Sequence, residues 1–196
     1  MPFTVNQWNG DVMIKLIPFS INDDFEIVFK AFSNENTQSL ISNRVIIKSK
    51  ELFRDWLIFQ LQNYYHEFKI VDYNDEKIGF CYSYEYFDRT IKTVMYIKDD
   101  YQDSGVGVLA EITFIDYLFK LYPIRKIYNH VYSYNEQSLN SHLKAGFITE
   151  GKLLKYRYYA GNYHDVYILS ITREEFYKRY EKLISSQRKG KLDNVQ

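Results

Sequence analysis

The chain has 196 residues, and its 25 basic and 25 acidic side chains give a formal net charge of zero. This length suits one compact domain, for which about 150 residues are usual, and excludes a large multidomain assembly. With no net field to attract polyanions, we expect neither a nucleic-acid partner nor a membrane partner. Hydrophobic residues make up 46% and aromatic residues 18% of the chain, which excludes a disordered protein.

The first half of the chain predicts strands and helices of the mixed α+β kind. A strand at residues 11–19 precedes a helix that begins at Ser20 and reaches about residue 32. Three further strands, at 68–71, 77–87 and 92–98, have the alternation and turn residues of an antiparallel meander.

A second helix is predicted to begin at Ser49, between the first helix and the meander. Within it Leu52, Trp56 and Phe59 or Gln60 recur at helical spacing. We therefore expect these residues to form the face that packs against the core.

The second half predicts two more helices, a strand, a hairpin and a terminal helix. These elements are a long apolar helix at 105–121, a strand at 127–133, a helix at 136–145, hairpin strands at 147–159 and 163–171, and a helix at about 174–183. We predict one domain over residues 1–186 and a polar tail at 187–196. The order indicates an α+β fold around one mostly antiparallel sheet.

Cysteine usage and hydropathy predict the compartment. The single cysteine, Cys81, excludes an internal disulfide and lies in an apolar segment that favours a buried, inert thiol. No segment approaches the ~20 apolar residues of a membrane span, and no signal-peptide pattern occurs. We therefore predict a cytoplasmic protein, and His66, His130 and His164 are too scattered in sequence to predict a metal site.

The transition from Ile97 to Gly107 is the most informative segment for function. A predicted strand passes through a short loop, with glycine at 105 and 107, directly into a helix. Unpaired backbone N–H groups and the positive end of the helix dipole meet there, which favours a phosphate or pyrophosphate. The segment lacks the Lys-Ser/Thr of a P-loop and the third glycine of a dinucleotide fingerprint.

The spacing of this segment resembles the acyl-CoA-binding motif of the GNAT superfamily of N-acyltransferases. The motif V-x-x-x-x-[QR]-x-x-G-x-[GA] is matched by Ile97, Gln102, Gly105 and Gly107. This resemblance implies acetyl-CoA as co-substrate and a single GNAT-like domain whose mixed, mostly antiparallel sheet is flanked by helices and has strands splayed at the acyl-CoA site.

Two later segments extend the resemblance. Asn135 and Ser138, followed by residues 145–147 and 150–151, are similar to the N-x-x-S, GF and EG elements of the family. Residues 161–165 look like the closing G-x-Y-x-D signature of a subgroup that includes ribosomal-protein N-terminal acetyltransferases. The three segments cover about residues 92 to 171.

The resemblance implies a set of cofactor-binding residues. The pyrophosphate would lie on the N–H groups of residues 102–107, and the pantetheine arm would pair with the exposed backbone near Ile97. The predicted set is Ile97, Gln102, Asp103, Ser104, Gly105, Val106, Gly107, Asn135 and Ser138.

The predicted catalytic residues depart from the usual pattern. Many family members place a Tyr seven residues after the Asn, where it protonates the departing thiolate, and here His142 stands there. His142 is thus a candidate general acid, with a surface histidine as the alternative. Glu85 is a candidate base or substrate anchor, an exposed strand glutamate being the alternative. Asn135 would hold the pantetheine or the strand opening.

The resemblance implies an N-acetyltransferase that acts on a primary amine. We expect the acceptor to be a small molecule, such as an amino sugar or sugar nucleotide, because Tyr-rich strands can form a stacking wall. Protein N-termini, polyamines and antibiotics are alternative acceptors. Two other classes stay open, a CoA-binding module without activity and an interaction module. A homodimer, formed through the sheet edge or the C-terminal hairpin, is compatible with all of them, and no metal is expected.

Overall fold

The computed structural model describes residues 3–6, 13–41, 48–102 and 104–180. Eight strands occur in these ranges: β1 Phe3–Asn6, β2 Met13–Pro18, β3 Tyr65–Tyr73, β4 Glu76–Phe87, β5 Thr90–Ile97, β6 Lys126–Tyr132, β7 Ile148–Tyr159 and β8 Asn162–Thr172. They form one sheet in the order β1-β2-β3-β4-β5-β6-β8-β7. Every neighbouring pair is antiparallel except β5 and β6, which are parallel.

Helices cover both faces of this sheet. They are α1 Phe25–Ser33, α2 Glu35–Ile41, α3 Lys50–Asn63, α4 Val106–Leu121, α5 Glu136–Lys144 and α6 at 173–180, with a 3-10 turn at Asp99–Tyr101. Phe80 belongs to a core shared with α1 and α3, whereas its neighbour Cys81 belongs to a core shared with α4 and α6. Because successive strand residues point to opposite faces, the two cores lie on opposite sides of the sheet. The predicted α+β fold is confirmed.

The face that α3 buries differs from the prediction. Ser49 caps the helix as expected, accepting a hydrogen bond from the N–H of Leu52 at 3.4 Å. However, Leu52 and Phe59 are exposed, and the buried residues are Phe53, Leu57 and Gln60. The core face is therefore rotated by about one residue, because the rings of α1 pack around Phe53.

Two elements lie outside the predicted pattern, and several predictions lie outside the described residues. Strand β1 and the polar helix α2 were not predicted. The meander, the long helix α4 and the β7–β8 hairpin were predicted and are present. The polar tail at 187–196 and the end of the terminal helix lie outside the described residues. None of the helices in the described ranges is both long and apolar enough to cross a membrane.

Candidate active site

A gap opens in the middle of the sheet between β5 and β6. These strands pair with each other at two positions, Thr90 with Lys126 and Ile91 with Ile127. Beyond these positions each strand continues and pairs only with its other neighbour, β5 with β4 and β6 with β8. A cavity of about 1200 Å³ extends along this gap. The predicted splay of the strands is therefore confirmed.

The backbone of β5 directs peptide groups into the gap. In an antiparallel pair, successive residues turn their N–H and C=O groups alternately to the two sides. Thr93 donates its N–H across the gap to Oδ1 of Asn129 at 2.8 Å, whereas Lys98 donates to β4. Met95 and Ile97 therefore turn their peptide groups to the gap as Thr93 does. An extended ligand can pair with them as an added strand.

The loop before α4 carries the glycine and the helix N-terminus on which the pyrophosphate was predicted to lie. Gly105 adopts the left-handed conformation with φ of +84°, and a Cβ added there would meet no atom within 4 Å. Oγ of Ser104 accepts a hydrogen bond from the N–H of Val106 at 3.3 Å. The N–H groups of Gly107 and Val108 belong to the first turn, where a helix supplies no acceptor. With the helix dipole, these groups favour a bound anion such as a pyrophosphate.

Gln102 connects the loop to its surroundings. Its Nε2 donates to the carbonyl oxygen of Ile97 at 3.2 Å and to Oδ1 of Asp99 at 2.8 Å. Its Oε1 accepts a hydrogen bond from Nε2 of Gln137, on α5, at 3.1 Å. Gln102 therefore shapes the loop through protein contacts. Asp103, also predicted to bind the cofactor, lies outside the described residues.

Asn135 and Ser138 begin α5 beside the gap. Oδ1 of Asn135 accepts the N–H of Ser138 at 3.1 Å, so Asn135 is the N-cap of the helix. The backbone N–H of Asn135 donates to the carbonyl of Tyr132 at 2.8 Å. Both residues line the cavity, as predicted cofactor-binding residues would. Asn135 therefore stabilises the start of α5 independently of any contact with a ligand.

His142 lies at the junction of three elements. Its side chain is 13% exposed, and its Nδ1 lies 2.8 Å from the carbonyl oxygen of Ser138. Its Nε2 lies 2.9 Å from Nδ2 of Asn129 on β6 and 3.2 Å from Oε1 of Glu111 on α4. The ring also packs edge-on against Phe147. His142 is thus a held cavity residue rather than a solvated surface histidine.

Glu111 is the buried acid of this group. Burial raises the pKa of its carboxyl, and the opposing effects of His142 and of a hydrogen bond from Ser141 are smaller. The carboxyl group therefore keeps its proton to a higher pH than an exposed glutamate does.

Glu85, the other predicted acid, is held by a lysine. It lies in the irregular part of β4, between Tyr84 and Phe87, and has φ of +52°. Its Oε2 is 2.6 Å from Nζ of Lys92, whose side chain is 11% exposed and lies near the rings of Tyr84 and Tyr128. Burial and the charge of Lys92 lower the pKa of His130, which lines the same cavity. Glu85 is therefore part of an ion pair at the cavity wall.

Aromatic side chains from α1, α3 and the strands line much of the cavity. They include Phe32, Trp56, Tyr65, Tyr82, Tyr84, Tyr96, Tyr132 and Tyr156. Such rings offer flat apolar surface together with hydroxyl groups. Within the described ranges, no group of three or more His, Cys, Asp or Glu side chains is placed to hold a metal ion.

Residues 14–148 match the family model described as the acetyltransferase (GNAT) domain. The chain belongs to the GNAT acetyltransferase family. It is therefore an acyltransferase that uses acetyl-CoA as co-substrate, as its loop and gap indicated.

Sequence relatives of this GNAT chain include two acetyltransferases. The SPbeta prophage-derived uncharacterized N-acetyltransferase YokL of Bacillus subtilis (strain 168) is 26% identical over 175 residues, which cover 88% of this chain and 96% of that protein. Spermidine N(1)-acetyltransferase of Vibrio cholerae serotype O1 is 27% identical over 96 residues, or 49% of this chain and 56% of that protein.

Solved structures of similar fold include spermidine N-acetyltransferase from Vibrio cholerae in complex with CoA and spermine. It has a TM-score of 0.75 and 20% identity, over 83% of this GNAT chain and 97% of that chain. A dodecameric structure of the same enzyme in an intermediate state has a TM-score of 0.71 and 20% identity, over 85% and 97%. These relatives do not support the narrower resemblance to ribosomal-protein acetyltransferases.

Sequence reasoning missed Glu111, Asn129 and Lys92. Glu111 carried one signal, a charged residue inside the apolar helix α4, whereas Asn129 and Lys92 read as ordinary strand residues. Asp165, the last residue of the G-x-Y-x-D signature, accepts the N–H of Lys155 at 2.8 Å and so holds the bulge of β7. That signature residue therefore has a structural contact in this GNAT domain.

Proposed function

We propose that this GNAT chain transfers the acetyl group of acetyl-CoA directly to the primary amine of a small molecule. The observation that carries the proposal is the gap between β5 and β6, which ends at the loop before α4. Peptide groups of β5 face the gap, and helix-terminal N–H groups face the loop. An extended arm with a pyrophosphate at one end suits this combination.

From the same geometry we infer roles for the candidate catalytic residues. The N–H groups of Met95 and Ile97 face the gap, where they can stabilise the oxyanion that forms when an amine attacks the thioester carbonyl. His142 is the candidate acid for the departing thiolate, because its Nε2 lies beside the gap. The amine can lose its proton to water, since holding two reactants together supplies much of the acceleration.

The cavity wall favours an uncharged body on the acceptor. Aromatic rings of α1, α3 and the strands line the cavity, and Glu85 is already paired with Lys92. A polycation gains little from a carboxylate that a lysine neutralises. We therefore infer an amino sugar or a sugar nucleotide, whose ring can stack on the tyrosines.

A polyamine is the second candidate acceptor. Spermidine acetyltransferases are among both the sequence relatives and the structures of similar fold. Aromatic rings also attract ammonium groups through their faces, so the cavity is compatible with such an acceptor.

Thermal melting with and without acetyl-CoA tests the cofactor site. We expect a stabilisation that grows with ligand concentration and disappears in Gly105→Glu, because the carboxylate occupies the place of the pyrophosphate. Gly161→Glu is the matched control: Gly161 has φ of +83° and equally open surroundings, but it lies in the β7–β8 turn. Loss of the stabilisation in both variants, or in neither, would contradict the placement of the pyrophosphate.

Thiol release from acetyl-CoA then distinguishes the candidate acceptors from one another, and an acetyltransferase from a CoA-binding module. Amino sugars, sugar nucleotides and polyamines are offered in parallel at equal concentration. Fastest release with an amino sugar supports the inferred acceptor, and fastest release with spermidine supports the second candidate. Stabilisation by acetyl-CoA without release from any amine would indicate a CoA-binding module instead.

We also propose that the protein self-associates through the β7–β8 hairpin. Leu154, Tyr158 and Tyr163 of this hairpin are 74%, 64% and 67% exposed. Exposed apolar groups of this size favour an interface. The dodecamer of the similar Vibrio cholerae enzyme gives independent support for assembly in this fold.

A further inference from the structure

Glu111 is a buried carboxyl group to which the proposed chemistry assigns no role. It is 6% exposed, lies on α4 and lines the cavity. Two groups of α5 face it, His142 with Nε2 at 3.2 Å from Oε1, and Ser141 through a hydrogen bond. From α6, Tyr180 is close enough for Glu111 to affect its pKa. A carboxyl group in this position interacts with His142 more directly than with solvent.

The amide of Asn129 fixes the orientation of the His142 ring. The N–H of Thr93 can only donate, and it lies 2.8 Å from Oδ1 of Asn129. Nδ2 of Asn129 therefore faces Nε2 of His142, at 2.9 Å, and donates to it. Neutral His142 then carries its hydrogen on Nδ1, where the carbonyl of Ser138 accepts it at 2.8 Å.

This tautomer places two acceptors next to each other. The lone pair of Nε2 faces Oε1 of Glu111, and an ionised carboxylate would repel it. The contact at 3.2 Å is favourable only when Glu111 carries a proton, because a hydrogen on Nε2 would meet the side-chain N–H of Asn129. Burial of Glu111 favours the protonated carboxyl over an isolated carboxylate.

We propose that Glu111 keeps a proton beside Nε2 of neutral His142, and that Glu111 positions this proton for transfer through Nε2 to the departing sulfur. This inference rests on the proposed acetyl transfer. The amine nitrogen bonds to the carbonyl carbon, the C–S bond breaks, and its electron pair stays on sulfur. The sulfur takes the proton from Nε2. The amine releases its own proton to cavity water, which reprotonates the pair.

The kinetic test measures thiol release from acetyl-CoA with the fastest of the amino sugars, sugar nucleotides and polyamines. The proteins compared across the neutral pH range are the wild type, Glu111→Gln, His142→Gln and the double variant. Loss of a general acid costs about 10²-fold or more. We expect His142→Gln to lower kcat by about 100-fold. Glu111→Gln should lower kcat by about 10-fold and change its pH profile, with KM for acetyl-CoA unchanged.

The double variant separates a positioning role from an independent one. Because Glu111 acts through His142, the double variant should be no slower than His142→Gln alone. Asp116→Asn is the matched control, since Asp116 is also buried on α4 but pairs with Lys120 away from the cavity lining. If the kcat losses of the two single variants multiply in the double variant, or if Glu111→Gln changes only KM, the proposal is overturned.

NMR of ¹⁵N-histidine-labelled protein tests the proton between Glu111 and His142 without any acceptor. The His142 signals are assigned by their loss in His142→Gln. In the wild type we expect Nδ1 to be protonated, and in Glu111→Gln the Nε2 signal should move while Nδ1 keeps its proton. A wild-type tautomer with hydrogen on Nε2 alone would overturn the proposal even if Glu111→Gln does not fold. If the Nε2 signal moves but no amine is acetylated, the proton-transfer step and the proposed acetyl transfer are both wrong. The proton between Glu111 and His142 would still be supported.

Discussion

Individual side chains acquire their roles in this site from partners that are distant in the sequence. His142 was predicted from its spacing to Asn135, because both belong to one segment. Asn129 and Glu111 come from β6 and α4, and only the fold brings them to His142. A family motif thus located the candidate acid His142, whereas the groups that hold it could not be predicted, since no local pattern marks them.

The buried carboxyl of Glu111 makes stability depend on pH. Its folded-state pKa is raised above the ordinary value of 4.5, so the folded protein keeps this proton where the unfolded chain has lost it. The stability contribution of this group is therefore complete at low pH and is lost as pH rises above 4.5. The melting temperature of Glu111→Gln minus that of the wild type should therefore increase as the pH is raised from about 5 to about 8. Melting curves at both pH values check this, and a constant difference would contradict it.

Whole elements were predicted more reliably than the faces they bury. Strands β3 to β5 and the β7–β8 hairpin follow from alternation and turn residues. Helix α3 carries large apolar residues on two faces, so periodicity alone could not choose between Leu52 and Phe53. Packing against the rings of α1 decides for Phe53. Helix α2 has the polar sequence ENTQSLI and gave no periodic signal.

Adjacent substitutions on α3 test this assignment of the buried face. Phe53 is 2% exposed, so Phe53→Ala should lower the free energy of unfolding by about 3–5 kcal/mol. Leu52 is 64% exposed, so Leu52→Ala should change it by less than about 0.5 kcal/mol. Urea denaturation of both variants measures the difference. Equal losses would mean that both faces of α3 are packed.

The whole molecule presents its exposed apolar side chains unevenly. Besides the cavity, the β7–β8 hairpin exposes large apolar side chains at the outer side of the sheet, where β7 is the last strand. The sequence predicted this hairpin and suggested it as an interface, but it could not show that Leu154 lies outside the core. Leu154 lies in the irregular part of β7, next to the backbone N–H of Lys155 that Asp165 accepts.

Charge substitutions on the hairpin test self-association. Leu154→Lys should lower the mass measured by light scattering. Burying the charge of the new lysine in an apolar interface costs more free energy than an ion pair at the rim of the interface could offset. Leu52→Lys is the control, since Leu52 is similarly exposed but lies on α3. A single-chain mass for the wild type at working concentration would exclude the assembly, and an equal effect of both substitutions would exclude this surface.

The two-position pairing of β5 with β6 has a consequence for handling the protein. Among the described strands, β1 and β7 form the two outer edges of the sheet, and the splay adds two inner edges, on β5 and β6 beyond their paired positions. Unpaired strand edges are templates for the strands of other chains and promote aggregation. A cofactor arm that fills the gap also shields these inner edges. We therefore expect the ligand-free protein to aggregate more readily than the CoA-bound protein during concentration or warming. CoA in the buffer should suppress this aggregation without any acceptor.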